Sequence, residues 1–330
     1  MSRKLITIST IMTLMSTSVI ADVPNVAADI APIHSLVSRV MDGVGAPKLI
    51  VQSGASPHGY RLRPSEAKAL QDADHVFWMG EELTPWLDSA IGTLASKASV
   101  TTLLDQQGVI LHDFREGALF EAHDHSAHGD DDHDDHKDHD DHDDHDDHKD
   151  HDDHDDHDDH GSHDPHAWLS PENAKLWLNI IASKLSVSDP ENAATYFMNA
   201  AAGQAEIEAM IAEVKATLKP VQGGKFVVFH DAYQYFENDF DFYASGAISL
   251  ADSSDPSPAR IEKVQKRIRD EGIQCVLAEP QFKKGLVATV MEGSDATASV
   301  IDPLGAELET GPKLYTRLIK NMAKTLRNCL

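Results

Sequence analysis

From Asp131 to His160 the chain consists of ten consecutive triplets ending in histidine, eight Asp-Asp-His and two Lys-Asp-His. This run limits the possible folds more than any other feature. A period of three suits neither the alternation of a half-buried strand nor the 3.6-residue repeat of an amphipathic helix, and the run holds nothing apolar to bury. Residues 121–163 are therefore expected to form a disordered, solvated loop, and the folded body must come from the sequence on either side. Aspartate alone would suffice for a solvating segment, whereas a histidine at every third place is a metal-binding composition. His133, His136, His139, His142, His145, His148, His151, His154, His157 and His160 are accordingly expected to be auxiliary metal ligands.

The same segment explains the acidity of the chain. The formal net charge is −27, and Asp130–His160 alone carries 19 aspartates against only Lys137 and Lys149. An acidic balance of this kind excludes nucleic acid as a partner, because phosphate binding needs clustered Lys and Arg.

Residues 1–21 have a short basic start (Arg3, Lys4) and an apolar run from Leu5 to about Ile20. They read as a cleaved signal peptide; no later run approaches the roughly 18 unbroken apolar residues that a span needs. The only cysteines, Cys275 and Cys329, lie far from the cleavage site, so no lipid anchor through cysteine is expected there. A soluble exported chain fits a periplasm, where two cysteines point to one disulfide. It would close a loop of about 55 residues and stabilise by about 4 kcal/mol in the chain-entropy model.

Either side of the loop, β-branched runs alternate with helical ones. Strands are predicted at Val26–Ile30, Leu49–Val51, His75–Met79 and Val109–Leu111, with helices at Ile33–Met41, Pro64–Leu70 and Leu83–Ala95. After the loop come a helix at Pro171–Leu185 and a long Ala-rich one at Pro190–Leu218, the latter ending before Pro220 and Gly223-Gly224. Strands at Phe226–Phe229, Phe242–Ala247, Cys275–Ala278 and Val300–Ile301 then alternate with helical stretches at Ala232–Phe236, Pro258–Glu271, Lys284–Glu292 and Pro312–Arg327. Such alternation implies α/β architecture with mostly parallel sheets. Two runs separated by one long helix give two Rossmann-like lobes and a cleft: residues 22–189, a linking helix at 190–219, and 220–330.

Six histidines remain outside the loop. His34, His75 and His112 lie within or at the ends of core elements and read as packing or surface residues. His58 follows the strand ending near Val51. His166 sits in Asp164-Pro165-His166-Ala167-Trp168-Leu169, and His230 directly follows Phe226-Val227-Val228-Phe229. Asp302 follows Val300-Ile301. All four stand where a strand or turn meets the next element, the place where open α/β sheets bind ligands. No short spacing ties them together, and Asp302 reads equally as a turn or a helix cap.

Several motifs resemble the metal-binding subunits of zinc and manganese ABC importers, in particular the zinc group. They are Gly54-Ala55-Ser56-Pro57-His58-Gly59-Tyr60, Leu62-Arg63-Pro64-Ser65-Glu66, Asp164-Pro165-His166-Ala167-Trp168-Leu169-Ser170-Pro171, His230-Asp231-Ala232-Tyr233, Ala278-Glu279-Pro280-Gln281-Phe282 and Asp302-Pro303-Leu304-Gly305. The resemblance spans the mature chain and includes the His/Asp-rich insertion and the cysteine pair. It implies Zn²⁺ as the transported ligand, in a cleft between two lobes joined by a rigid helix. His58 and His166 would come from the first lobe, His230 and Asp302 from the second. Manganese binders of this kind carry Glu where His230 stands; imidazole suits Zn²⁺ and oxygen-rich sites suit Mn²⁺. Some relatives have Glu beside the first histidine, where this chain has Pro57, which leaves the fourth ligand as Asp302 or water. Glu279 is assigned a structural role. The implied partner is an inner-membrane zinc ABC permease with its cytoplasmic ATPase, served by a monomer that is not an enzyme. Two other classes fit parts of the pattern. A zinc hydrolase would also use three histidines with an open position, but needs a general base for which no motif is present. In a zinc buffer the loop would be the principal actor.

Overall fold

The computed structural model describes residues 23–115, 120, 163–249, 256–282 and 284–330. The expected signal peptide and the ten triplet histidines lie outside these residues.

Two four-stranded parallel sheets form the body. The first has strand order β2-β1-β3-β4, from β1 (Val26–Ala28), β2 (Lys48–Leu49), β3 (His75–Trp78) and β4 (Ser99–Thr102). The second repeats that order as β6-β5-β7-β8, from β5 (Phe226–His230), β6 (Ala247–Ser249), β7 (Cys275–Ala278) and β8 (Thr297–Val300). Central strands β1, β3, β5 and β7 are buried along their whole length, as continuous apolar strands of a covered parallel sheet must be.

Helices α1 (Ala31–Val40), α2 (Pro64–Gln71) and α3 (Pro85–Leu94) belong to the first lobe, and all three carry proline at a first-turn position. In the second lobe α6 (Gln234–Phe240), α7 (Pro258–Glu271), α8 (Lys284–Met291) and α9 (Leu314–Cys329) follow the strands. Ser257 caps α7 by accepting from Arg260 N, and Gly272 ends it at φ +65°, a backbone state that glycine adopts with no Cβ penalty. Between the lobes, α4 (Pro171–Ser188) packs against α5 (Ala193–Leu218), whose 26 residues span about 39 Å. Tyr196, Ala200, Ile207, Met210, Val214 and Leu218 of α5 join one apolar core with side chains from both sheets and from α1, α4 and α9. The lobes are thus fused through a shared core, and smaller apolar clusters fill the outer face of each sheet.

Two expectations need correction. The fourth strand of the first lobe is Ser99–Thr102, not Val109–Leu111. β4 is an edge strand, and its half-exposed Ser-Val-Thr-Thr sequence lacks the apolar run by which its neighbours are recognised. Ile110 and Leu111 are exposed, and Ile110 is held by a side chain: its N–H donates to Asn173 Oδ1 at 2.8 Å and its carbonyl accepts from Asn173 Nδ2 at 2.9 Å. The strand expected at Phe242–Ala247 is Ala247–Ser249, because Phe242 belongs to the turn that closes α6. Cys275 and Cys329 form the expected disulfide, tying the start of β7 to the end of α9.

Candidate metal centre

His58, His166 and His230 converge, each offering a ring nitrogen within 4.8 Å of the others'. Among the described residues this is the one group of three or more such ligands that meets this spacing. His230 ends β5, the central strand of the second sheet, and only 3% of it is exposed. His166 sits at the start of a 3₁₀ turn, Ala167–Leu169, that leads into α4. His58 lies in the loop after β2 and is half-buried; Trp86 steadies this loop by donating from Nε1 to Pro57 O at 2.7 Å.

Carboxylates fix the orientation of two of the rings. His166 Nδ1 donates to Asp164 Oδ1 at 2.6 Å, and the same oxygen accepts the His166 backbone N–H at 3.0 Å. His230 Nδ1 donates to Glu279 Oε1 at 2.6 Å, while Glu279 Oε2 accepts from Gln281 Nε2 at 2.7 Å. Both carboxylates are buried. A ring whose Nδ1 hydrogen is committed to a carboxylate presents an Nε2 lone pair, as in the carboxylate–histidine–zinc arrangement. The two Nε2 atoms stand 3.3 Å apart. Lone pairs facing each other at that distance call for a cation between them, either a metal ion or a proton. A tetrahedral zinc shell with Zn–N near 2.05 Å has N···N edges of about 3.3 Å, so the spacing fits Zn²⁺ directly.

Asp302 follows β8 in the second lobe, where it and Glu279 line one hollow of about 640 Å³. Its oxygens are engaged by its own loop: Oδ1 accepts from Leu304 N at 3.0 Å and Gly305 N at 2.9 Å, and Oδ2 accepts from Ala306 N at 2.6 Å. Asp302 stands outside the three-histidine group. His34, His75 and His112 serve packing. His34 Nε2 bonds Pro47 O at 3.1 Å, His75 Nε2 bonds Ser188 Oγ at 2.6 Å, and the His112 ring lies 4.6 Å from that of Tyr235.

Asp164 and Glu279 are the functional residues that sequence reasoning underrated. Asp164 could have been found from its place two residues before His166. Glu279 was legible only through strand register: Val228 pairs with Leu277, so His230 at the end of β5 falls opposite Glu279, just past the end of β7. Arg115 carried no sequence signal. Its guanidinium bonds both oxygens of Asp231, and Nη1 donates to Glu237 Oε2 at 2.6 Å. Burial pushes both carboxyls above their usual range, which Arg115 partly offsets.

Comparison with known proteins places the chain in a family. A family model described as the periplasmic component A of the zinc-uptake complex matches residues 26–329. The high-affinity zinc uptake system protein ZnuA of Brucella abortus is 49% identical over 305 residues, covering 92% of this chain and 91% of that one. Its namesake in Paracoccus denitrificans is 45% identical over 311 residues, covering 94% and 93%. A crystal structure of ZnuA superimposes with a TM-score of 0.70 at 20% identity, over 93% of this chain and 99% of that one, a likeness of fold.

Proposed function

The chain belongs to the ZnuA family of periplasmic zinc-uptake components, and from that premise we propose that His58, His166 and His230 hold the Zn²⁺ it captures for import. The protein binds and delivers zinc; it is not an enzyme. The observation that carries the ligand assignment is the 3.3 Å approach of two Nε2 atoms whose Nδ1 hydrogens are both committed to buried carboxylates. Two ligands come from one lobe and one from the other, so the metal closes the cleft. Because α5 and the shared core fuse the lobes, release proceeds by local rearrangement around the ligands and not by wide hinge opening.

The fourth position is filled by Asp302 or by water. Asp302 already accepts three backbone hydrogen bonds and stands outside the three-histidine group, which leaves water the easier donor. The His/Asp-rich segment acts as a weak auxiliary collector upstream of the tight site. The partner is a membrane permease with its ATPase, reached by a monomeric chain whose residues 1–21 direct export and are then removed.

The test is growth of a zinc-uptake-deficient bacterium under chelator. The wild-type chain should restore growth, and His58→Ala or His166→Ala should not, although each keeps the His/Asp-rich segment. Full rescue by both variants would transfer the role to that segment.

A further inference from the structure

The chain between β4 and residue 115 leaves the first lobe and fastens onto the second beside the metal centre. Asn173 of α4 grips both backbone groups of Ile110. Two residues on, the His112 N–H donates to Tyr235 Oη at 3.1 Å, and Tyr235 Oη donates to Asp164 O at 2.7 Å. One α6 side chain therefore ties together the strap and the turn that carries His166. The strap ends at Arg115, which stacks on Phe120 with 3.6 Å from guanidinium carbon to ring centroid. Arg115 holds Asp231, the residue after His230, through both carboxylate oxygens, and it holds Glu237 one turn into α6. All three side chains are largely buried, at 17%, 7% and 1% exposure.

We infer that Arg115 is a positioning residue for zinc release: its fork pins the His230 segment to the first lobe and sets how fast the metal leaves. The inference rests on His58, His166 and His230 being the zinc ligands. For zinc to leave, His230 must part from the two first-lobe imidazoles. Asp231 and Glu237, which follow His230 in the chain, are gripped from the first lobe. Moving them breaks charge-assisted, forked hydrogen bonds in a buried setting, where an unpaired charge is costly. The geometry also separates this role from a purely electrostatic one. A positive charge close to the centre repels Zn²⁺, so on charge alone the loss of Arg115 would tighten binding and slow release. Loss of a clasp speeds release.

The test is stopped-flow transfer of zinc from the full chain to a chromophoric chelator. Arg115→Gln should raise the dissociation rate of the tight zinc at least tenfold while the association rate changes by less than about threefold. Arg115→Lys, which keeps the charge and loses the fork, should fall between. Glu237→Gln should accelerate release on its own but add little in the Arg115→Gln background, because the two share one contact. If Arg115→Gln does not fold, the Lys and Glu237→Gln variants carry the test. Unchanged or slower release in the folded variants would overturn the clasp, even if their melting temperatures fell. His166→Ala is measured alongside. If it retains tight zinc, the ligand assignment fails; if it loses tight zinc while Arg115→Gln releases at the wild-type rate, only the clasp fails.

Discussion

Replacing Glu279 by Gln should weaken zinc binding by about tenfold without removing a metal ligand. Glu279 is 3% exposed, and its Oε1 takes the Nδ1 hydrogen of His230 at 2.6 Å. The carboxylate does two things for the metal. It holds the ring in the tautomer that directs Nε2 at the centre, and its negative charge makes that nitrogen a better donor. A glutamine side chain there would keep the shape and could still accept through its amide oxygen, but the charge would be gone. Its NH₂ would also face the Gln281 amide that now donates to Oε2 at 2.7 Å. Partners of this kind are worth about 10–100-fold in metal affinity, or about 1.4–2.7 kcal/mol. The isosteric change should sit at the low end, and Glu279→Ala, which leaves Nδ1 unpaired in a buried site, at the high end. Competition against a chelator of known affinity, on protein lacking residues 124–161, reads the tight site alone. Folded Glu279→Gln protein with wild-type affinity would refute the argument that this carboxylate acts on the metal through His230.

Zinc affinity should fall steadily as pH drops from about 7 to 5, because each imidazole must be neutral to bind and protons then compete with metal; a flat profile would contradict a three-histidine site. His230→Glu should narrow the preference for Zn²⁺ over Mn²⁺, measured by competition of the two ions, because it replaces a nitrogen donor with oxygen. Deleting Asp124–Gly161 should leave one tight zinc by calorimetry and abolish only a weaker class, since the composition of that segment is that of auxiliary metal ligands. Burial pushes the Asp29 carboxyl up to about 7. The native state then holds a proton that the unfolded chain has released between about pH 4 and 7, so this group's contribution to stability declines as pH rises through that window. Asp29→Asn lacks the effect, and the melting temperature of the metal-free variant should gain on wild type between pH 5 and pH 7.5.

The alternating pattern of the sequence was enough to read two parallel-sheet lobes and the long helix, because buried central strands such as Phe226–His230 are continuous apolar runs. It failed at β4, where an edge strand half open to solvent has a polar composition, and at Ile110–Leu111, where apolar residues run exposed along a strap that no strand pairs. The histidines of the centre were legible by their places beyond strand ends and by motif resemblance. Their supporting carboxylates were less so, since Glu279 meets His230 only through the pairing of β5 with β7. Arg115 was invisible for the same reason: its partners are 116 and 122 residues away in sequence, and no local spacing encodes such a contact.

The central claim is that one zinc ion sits among three cleft imidazoles. Anomalous diffraction at the zinc edge, on crystals of the protein lacking residues 124–161 and loaded with one equivalent of Zn²⁺, tests it most directly. The account predicts a single peak at about 2.0–2.1 Å from His166 Nε2, from His230 Nε2 and from one ring nitrogen of His58. A peak that lacks any of these three imidazoles, or one placed elsewhere on the molecule, would contradict it.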